Sequence, residues 1–166
     1  MKIQAVLVLA ASLGGCMFAG KPGGGSTADY LEIHGPNLGW AGISLYETRQ
    51  DVEKNLGKTL GVDPQASPTC GQYASKLTLH DRKLVLQWSS SGPEATLDSL
   101  RVNLPATEAQ QPMASLVAQI QERIPDVVPL GSDRDSAILR YADNQRLVLN
   151  MRTDGNLWLT YQACVD

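Results

Sequence analysis

The chain states one stretch of itself twice, and that constrains its fold more than any other feature. Asp81–Trp88 reads DRKLVLQW; Asn144–Met151, 63 residues on, reads NQRLVLNM without a gap. Leu84, Val85 and Leu86 fall on Leu147, Val148 and Leu149, and Gly92 falls on Gly155. Upstream, Val52, Leu56 and Leu60 fall on Leu116, Ile120 and Ile124 at the nearly equal offset of 64. Self-similarity at a fixed period marks a supersecondary unit that buries its apolar side against its neighbour. Two consecutive units are therefore expected, over 32–108 and 109–166, packed as one compact body.

Each unit reads as a helix followed by three strands. Ser44–Glu47 has the pattern of a capping box, with Leu45, Val52, Leu56 and Leu60 on one stripe behind it and Gly57 or Gly61 to end the helix. In the second unit Pro112 suits a first turn. Met113, Leu116, Val117, Ile120 and Ile124 form the stripe, and Pro125 pushes Ile124 out of the helical region. Leu77 and Leu79, then Leu84, Leu86 and Trp88, then Leu100, Val102 and Leu104 alternate as strands do. The later strands are placed at 138–142, 146–152 and 157–165, with Thr153–Asn156 (TDGN) as a hairpin turn. One buried face per strand, with helices to cover it, predicts an α+β fold: an antiparallel sheet with its helices packed on one face.

The N-terminus carries different information. Met1-Lys2 is followed by an apolar run from Ile3 to Ala11, broken only by Gln4, and then by Leu13-Gly14-Gly15-Cys16. A basic start, a short apolar run and small residues at a cut site make a secretory signal, and the run is too short to span a bilayer, which needs about 20 apolar residues. Leu-Gly-Gly-Cys resembles the bacterial lipobox. That resemblance implies a signal peptide over 1–15, acylation of Cys16 and retention by the membrane; Met17, where Asp is absent, implies the outer membrane. Several acyl chains on one residue would anchor the chain stably. Residues 16–31 then read as the lipidated cysteine and a Gly-rich tether with a mean reach of roughly 20 Å.

Charge and cysteine usage narrow the class of partner. Without Lys2 the 14 basic side chains become 13, against 17 acidic ones. No run of Lys and Arg tracks phosphates along the chain, so nucleic acid is not expected as a partner. With Cys16 assigned to lipid, Cys70 and Cys164 remain, and an oxidising compartment pairs them across about 94 residues.

A resemblance covers part of the first unit. Gly42-Ile43-Ser44, then Val52, Leu56 and Gly57, followed by hairpin strands, looks like the helix-then-sheet unit of the SmpA/OmlA lipoproteins, which are components of outer-membrane assembly machinery. The interval from Gly42 to Gly57 is about one helical turn longer than in that motif, and the expected proline is delayed to Pro64. Two such units in tandem look like β-lactamase inhibitory protein. Both families bind proteins and catalyse nothing.

The candidate catalytic constellations are incomplete. His80 next to Asp81 lacks a nucleophile in an elbow setting. His34 with Glu32 lacks a third metal ligand, and Asp133–Asp135 lacks the spacing and glycine of a calcium loop. Gly23–Gly25 follows no strand, so it is no phosphate loop. Neither a cofactor nor a metal is expected. Two tryptophans are candidate protein contacts: Trp40, in a Gly- and Pro-rich stretch, and Trp158, which alternates with Leu157 and Leu159 and so faces away from them. The expected function is a non-enzymatic, membrane-anchored periplasmic module that binds or assembles an envelope protein. The alternative is an inhibitor or sensor of a soluble envelope hydrolase.

Overall fold

The computed structural model describes residues 25–65, 70–142, 145–151 and 156–163. A 3-10 turn, Thr27–Tyr30, leads into β1 (Leu31–His34), β2 (Asn37–Trp40), β3 (Ile43–Ser44) and α1 (Arg49–Leu56). There follow β4 (Asp63–Pro64), β5 (Tyr73–Leu79), β6 (Arg82–Trp88), β7 (Leu97–Asn103), α2 (Ala106–Ala109) and α3 (Met113–Arg123). The chain closes with β8 (Val128–Ser132), β9 (Ser136–Ala142), β10 (Gln145–Met151) and β11 (Leu157–Gln162). No described helix is long and apolar enough to cross a membrane.

The expected α+β architecture of two helix-then-three-strand repeats is not what forms. Strand makes up 46% of the described residues and helix 21%, and the three α-helices are short. One antiparallel sheet of eight strands runs in the order β4-β5-β6-β7-β11-β10-β9-β8, and β1, β2 and β3 form a separate three-stranded sheet. The Leu-Val-Leu strands β6 and β10 each lie third from an edge.

Three local causes account for the difference. Ser44 N does donate to Glu47 Oε2 at 2.8 Å, but Tyr46 sits at φ +66° and its amide donates to Leu97 O, while Leu97 N donates to Glu47 O. The box therefore closes a turn clipped onto β7. The helix starts only at Arg49, capped by Thr48, and stops after eight residues at Gly57, φ +64°. Leu45 and Leu60 are buried outside it. Second, the Gly- and Pro-rich stretch before Ser44 is a meander whose turns use left-handed residues at Gly35, Ala41 and Gly42. Third, β8 is exposed at every position and so shows no alternation in its sequence.

The core lies between the large sheet and everything else. On its inner face the register lines up Leu86, Leu100, Tyr161, Leu147 and Leu139, and beside them Leu84, Val102, Leu159, Leu149 and Ala137. All are buried. Leu116 and Ile120 of α3 approach Leu149 and Leu159, and Met113, Val117, Ile124, Leu38, Trp40, Ile43 and Val52 complete the same cluster. Each fully buried aliphatic side chain contributes about 1.5–3 kcal/mol.

Part of the stretch assigned to the tether belongs to this body. Thr27 N donates to both carboxylate oxygens of Glu108 at 3.0 Å. Arg82 pairs with Glu108 at 2.9 Å and donates to Gly25 O and Thr27 Oγ1. From Gly25 onward the chain is clamped between the start of β6 and α2.

Candidate functional site on the open face of the large sheet

Reading the same register for the outward positions gives three rows across the sheet. The first holds Ala74, Gln87, Ser99, Gln162, Arg146, Arg140 and Val128. Lys76, Val85, Arg101, Thr160, Val148, Ile138 and Gly131 make up the second. The third runs Asn103, Trp158, Asn150 and Ser136, with Lys83 at the β6 end, the position before Leu84. Apart from Ala74 and Ser99, these residues are half-buried or exposed. No described helix fills this side.

Five cations, Lys76, Lys83, Arg101, Arg140 and Arg146, stand in these rows, and the one described carboxylate in register with them, Asp63 beside Ala74, lies on the edge strand β4. In a chain whose formal charge is −3, that segregation gives the face a potential of opposite sign to the whole. Described carboxylates stand at its margins: Asp63 on the edge strand β4, Asp98 where the β6–β7 register shifts, and Asp133, which accepts from the Ser136 hydroxyl. Burial holds the Asp98 carboxyl above its usual range, against the opposing pull of the Thr96 hydroxyl.

Trp158 is the aromatic centre of the face. The Arg101 guanidinium lies 5.2 Å from its ring centroid, a cation–π arrangement. The indole is half-buried, and among the described residues its Nε1 is buried without a hydrogen-bond partner. Trp40, the other candidate contact, is fully buried: its Nε1 donates to Thr27 O at 3.0 Å, and its ring packs near Tyr30. It seals the core and offers nothing to a partner.

The remaining candidates have structural partners. His80 and Asp81 are the two left-handed residues of the β5–β6 turn, and the imidazole stacks on Tyr30 with centroids 4.4 Å apart. His34 Nε2 lies 2.6 Å from Glu32 Oε2, which also accepts from Gly42 N, so the pair ties the two turns of the small sheet together. Asp133 accepts from the amides of Asp135 and Ser136 and from the Ser136 hydroxyl, bonds that hold its carboxyl below the usual range. No group of three metal-binding side chains occurs among the described residues.

Cys70 is disulfide-bonded. Cys16 and Cys164 both lie outside the described residues. The Cys70 sulfur is 3.2 Å from Asp98 O, the same carbonyl that accepts from Ala163 N.

The five cations were missed because they are spread over seventy residues of sequence. The available signal was the alternate register, since Lys83 and Val85 fill the outward slots beside Leu84 and Leu86, as Arg146 and Val148 do beside Leu147 and Leu149. Comparison with protein families, with characterised proteins and with solved structures finds no match for this chain.

Proposed function

We propose that this chain is a lipid-anchored lipoprotein of the cell envelope. In this reading it is acylated at Cys16, faces the periplasm from the outer membrane, and acts as a non-enzymatic module that binds an envelope protein through the open face of its large sheet. The Leu-Gly-Gly-Cys16 motif supports the anchor. The contact surface rests on one observation: a half-buried tryptophan under Arg101, among five cations, with the one described in-register carboxylate, Asp63, on the edge strand β4. Tryptophan and arginine are the residues most enriched where binding energy concentrates.

Cys164 is the partner we assign to Cys70. Ala163 is hydrogen-bonded to the carbonyl that the Cys70 sulfur touches, and Cys16 is committed to lipid. An oxidised pair accords with export.

Co-purification from detergent-solubilised envelope tests the contact surface. Trp158→Ala and Arg101→Glu are expected to lose proteins that the parent chain retains, while Glu122→Ala, an exposed change on α3, keeps them. Equal retention by all three would remove the face from the account. Recovery of a soluble hydrolase in place of integral membrane proteins would favour the inhibitor reading.

A further inference from the structure

We infer that Arg140 and Arg146 form a two-arginine clamp for carboxylates, and that it receives an acidic, partly apolar segment of a protein partner. The inference rests on the open face being the contact surface and names the chemistry of what binds there.

The two residues are directly opposite in the β9–β10 ladder, on the outward side. Like charges in that position destabilise a sheet. Oppositely charged neighbours usually relieve such a pair, but among the described residues neither arginine has a salt bridge or a side-chain hydrogen bond. Arg146 Nε is moreover buried without a partner among the described residues. A guanidinium whose donor is already withdrawn from water has less hydration to give up when an anion arrives. Two planar forks side by side match the two-oxygen geometry of a carboxylate.

The surroundings select a protein segment over a bare anion. Val128 is 47% exposed and lies in register with Arg140; Ile138, 39% exposed, is in the adjacent row, and Leu130, 50% exposed, follows on the edge strand. Three of the large apolar side chains left to solvent thus gather at the corner that holds Arg140 and Arg146. Inorganic phosphate would leave them wet, and a second copy docking by the same face would bring four guanidinia together. The edge itself is broken by Pro129 and a register shift, devices that keep a bare strand from pairing indiscriminately, so selection falls to the side chains.

The test is a titration of the full chain, solubilised in detergent, with the peptide Val-Glu-Val-Glu-Val-Glu, its Gln counterpart and inorganic phosphate, followed by backbone amide NMR shifts. Saturable binding of the Glu peptide is expected, with the largest shifts at Ile138, Arg140, Arg146 and Val148. Arg140→Gln or Arg146→Gln should each weaken it about tenfold, the loss of one charge-assisted contact. Arg140→Gln should not lower the thermal midpoint, because it relieves a like-charge pair; this keeps a folding defect apart from a binding defect. The inference is overturned if the Glu peptide does not saturate, if the Gln peptide or phosphate binds as tightly, if both variants bind like the parent, or if micelles doped with phosphatidylglycerol give the same shifts. Loss of partners with Trp158→Ala but no Glu-peptide binding would remove the clamp and leave the contact face standing.

Discussion

At the scale of single residues, buried polar groups decide most of what a substitution will do. Tyr161 is fully buried on the inner face, and among the described residues its hydroxyl has no hydrogen-bond partner. Burial, with the Glu32 charge adding to it, pushes its ionisation well above the usual range. A hydroxyl held that way costs about 1–3 kcal/mol of desolvation. Tyr161→Phe is therefore expected to leave stability unchanged or to raise it by up to about 1 kcal/mol in urea unfolding; a clear loss would mean the hydroxyl has a partner. The opposite case is Glu108, whose carboxylate takes Arg82 and the Thr27 amide together in a nearly closed site. Glu108→Gln leaves Arg82 inside without a counter-charge and is expected to cost about 3–5 kcal/mol. The double change Glu108→Leu with Arg82→Met should cost less than Glu108→Gln alone, and equal losses would show that the ion pair is not the cause.

Elements are held to one another by a few polar staples laid over the apolar core. Gln145, at the start of β10, accepts from Leu38 N at 2.8 Å and donates to Pro36 O and Asn37 Oδ1, so one buried amide fastens the β1–β2 hairpin to the large sheet. Gln145→Ala is expected to cost about 1–3 kcal/mol and to speed amide exchange at Leu38 first; uniform exchange across both sheets would count against a local staple. Beside the disulfide, Gly71 has φ +75°, and a Cβ there would meet the backbone of Gln87 and Trp88 at 2.9 Å. Gly71→Ala should cost at least the 1–2 kcal/mol or so of a left-handed non-glycine residue.

How much of this was legible follows from the same elements. Alternation placed β5, β6, β7, β9, β10 and β11 and sorted the inner faces of β6, β7 and β11, because period-two burial is written directly into residues such as Leu84 and Leu86. Pro112 and Pro125 bounded α3, since proline acts on the backbone whatever the fold. The meander β1–β3 shows in the sequence only as a Gly- and Pro-rich stretch, because its glycines serve turns between strands of four residues or fewer, too short to show a period. The capping pattern at Ser44 misleads because its bond from the Ser44 amide to the Glu47 carboxylate also closes a turn, with Glu47 N on the Ser44 carbonyl, and only the distant Leu97 decides between turn and helix. The face that carries the proposal was hidden for a related reason. Trp158 could be placed outward from its neighbours alone, whereas the juxtaposition of Arg140 with Arg146 depends on pairing that no local window contains.

For the molecule as a whole, the account joins an anchor to a surface. Gly25 and Thr27 are held by Arg82 and Glu108, so if Cys16 is acylated as proposed, the tether is shorter than residues 16–31. A disulfide from Cys70 to Cys164 would close a loop of about 94 residues, worth up to about 4–5 kcal/mol in the chain-entropy model. Reduction should lower the thermal midpoint, and Cys164→Ser should reproduce that shift; a chain indifferent to both would rule out the pairing. The measurement that bears most directly on the whole is the intact mass of the protein extracted from the envelope of its own host. The account predicts a chain that begins at Cys16, carries diacylglyceryl and acyl groups on that residue, and is two hydrogens lighter than its reduced form. A chain that keeps Met1, or one whose Cys16 is unmodified, would contradict it.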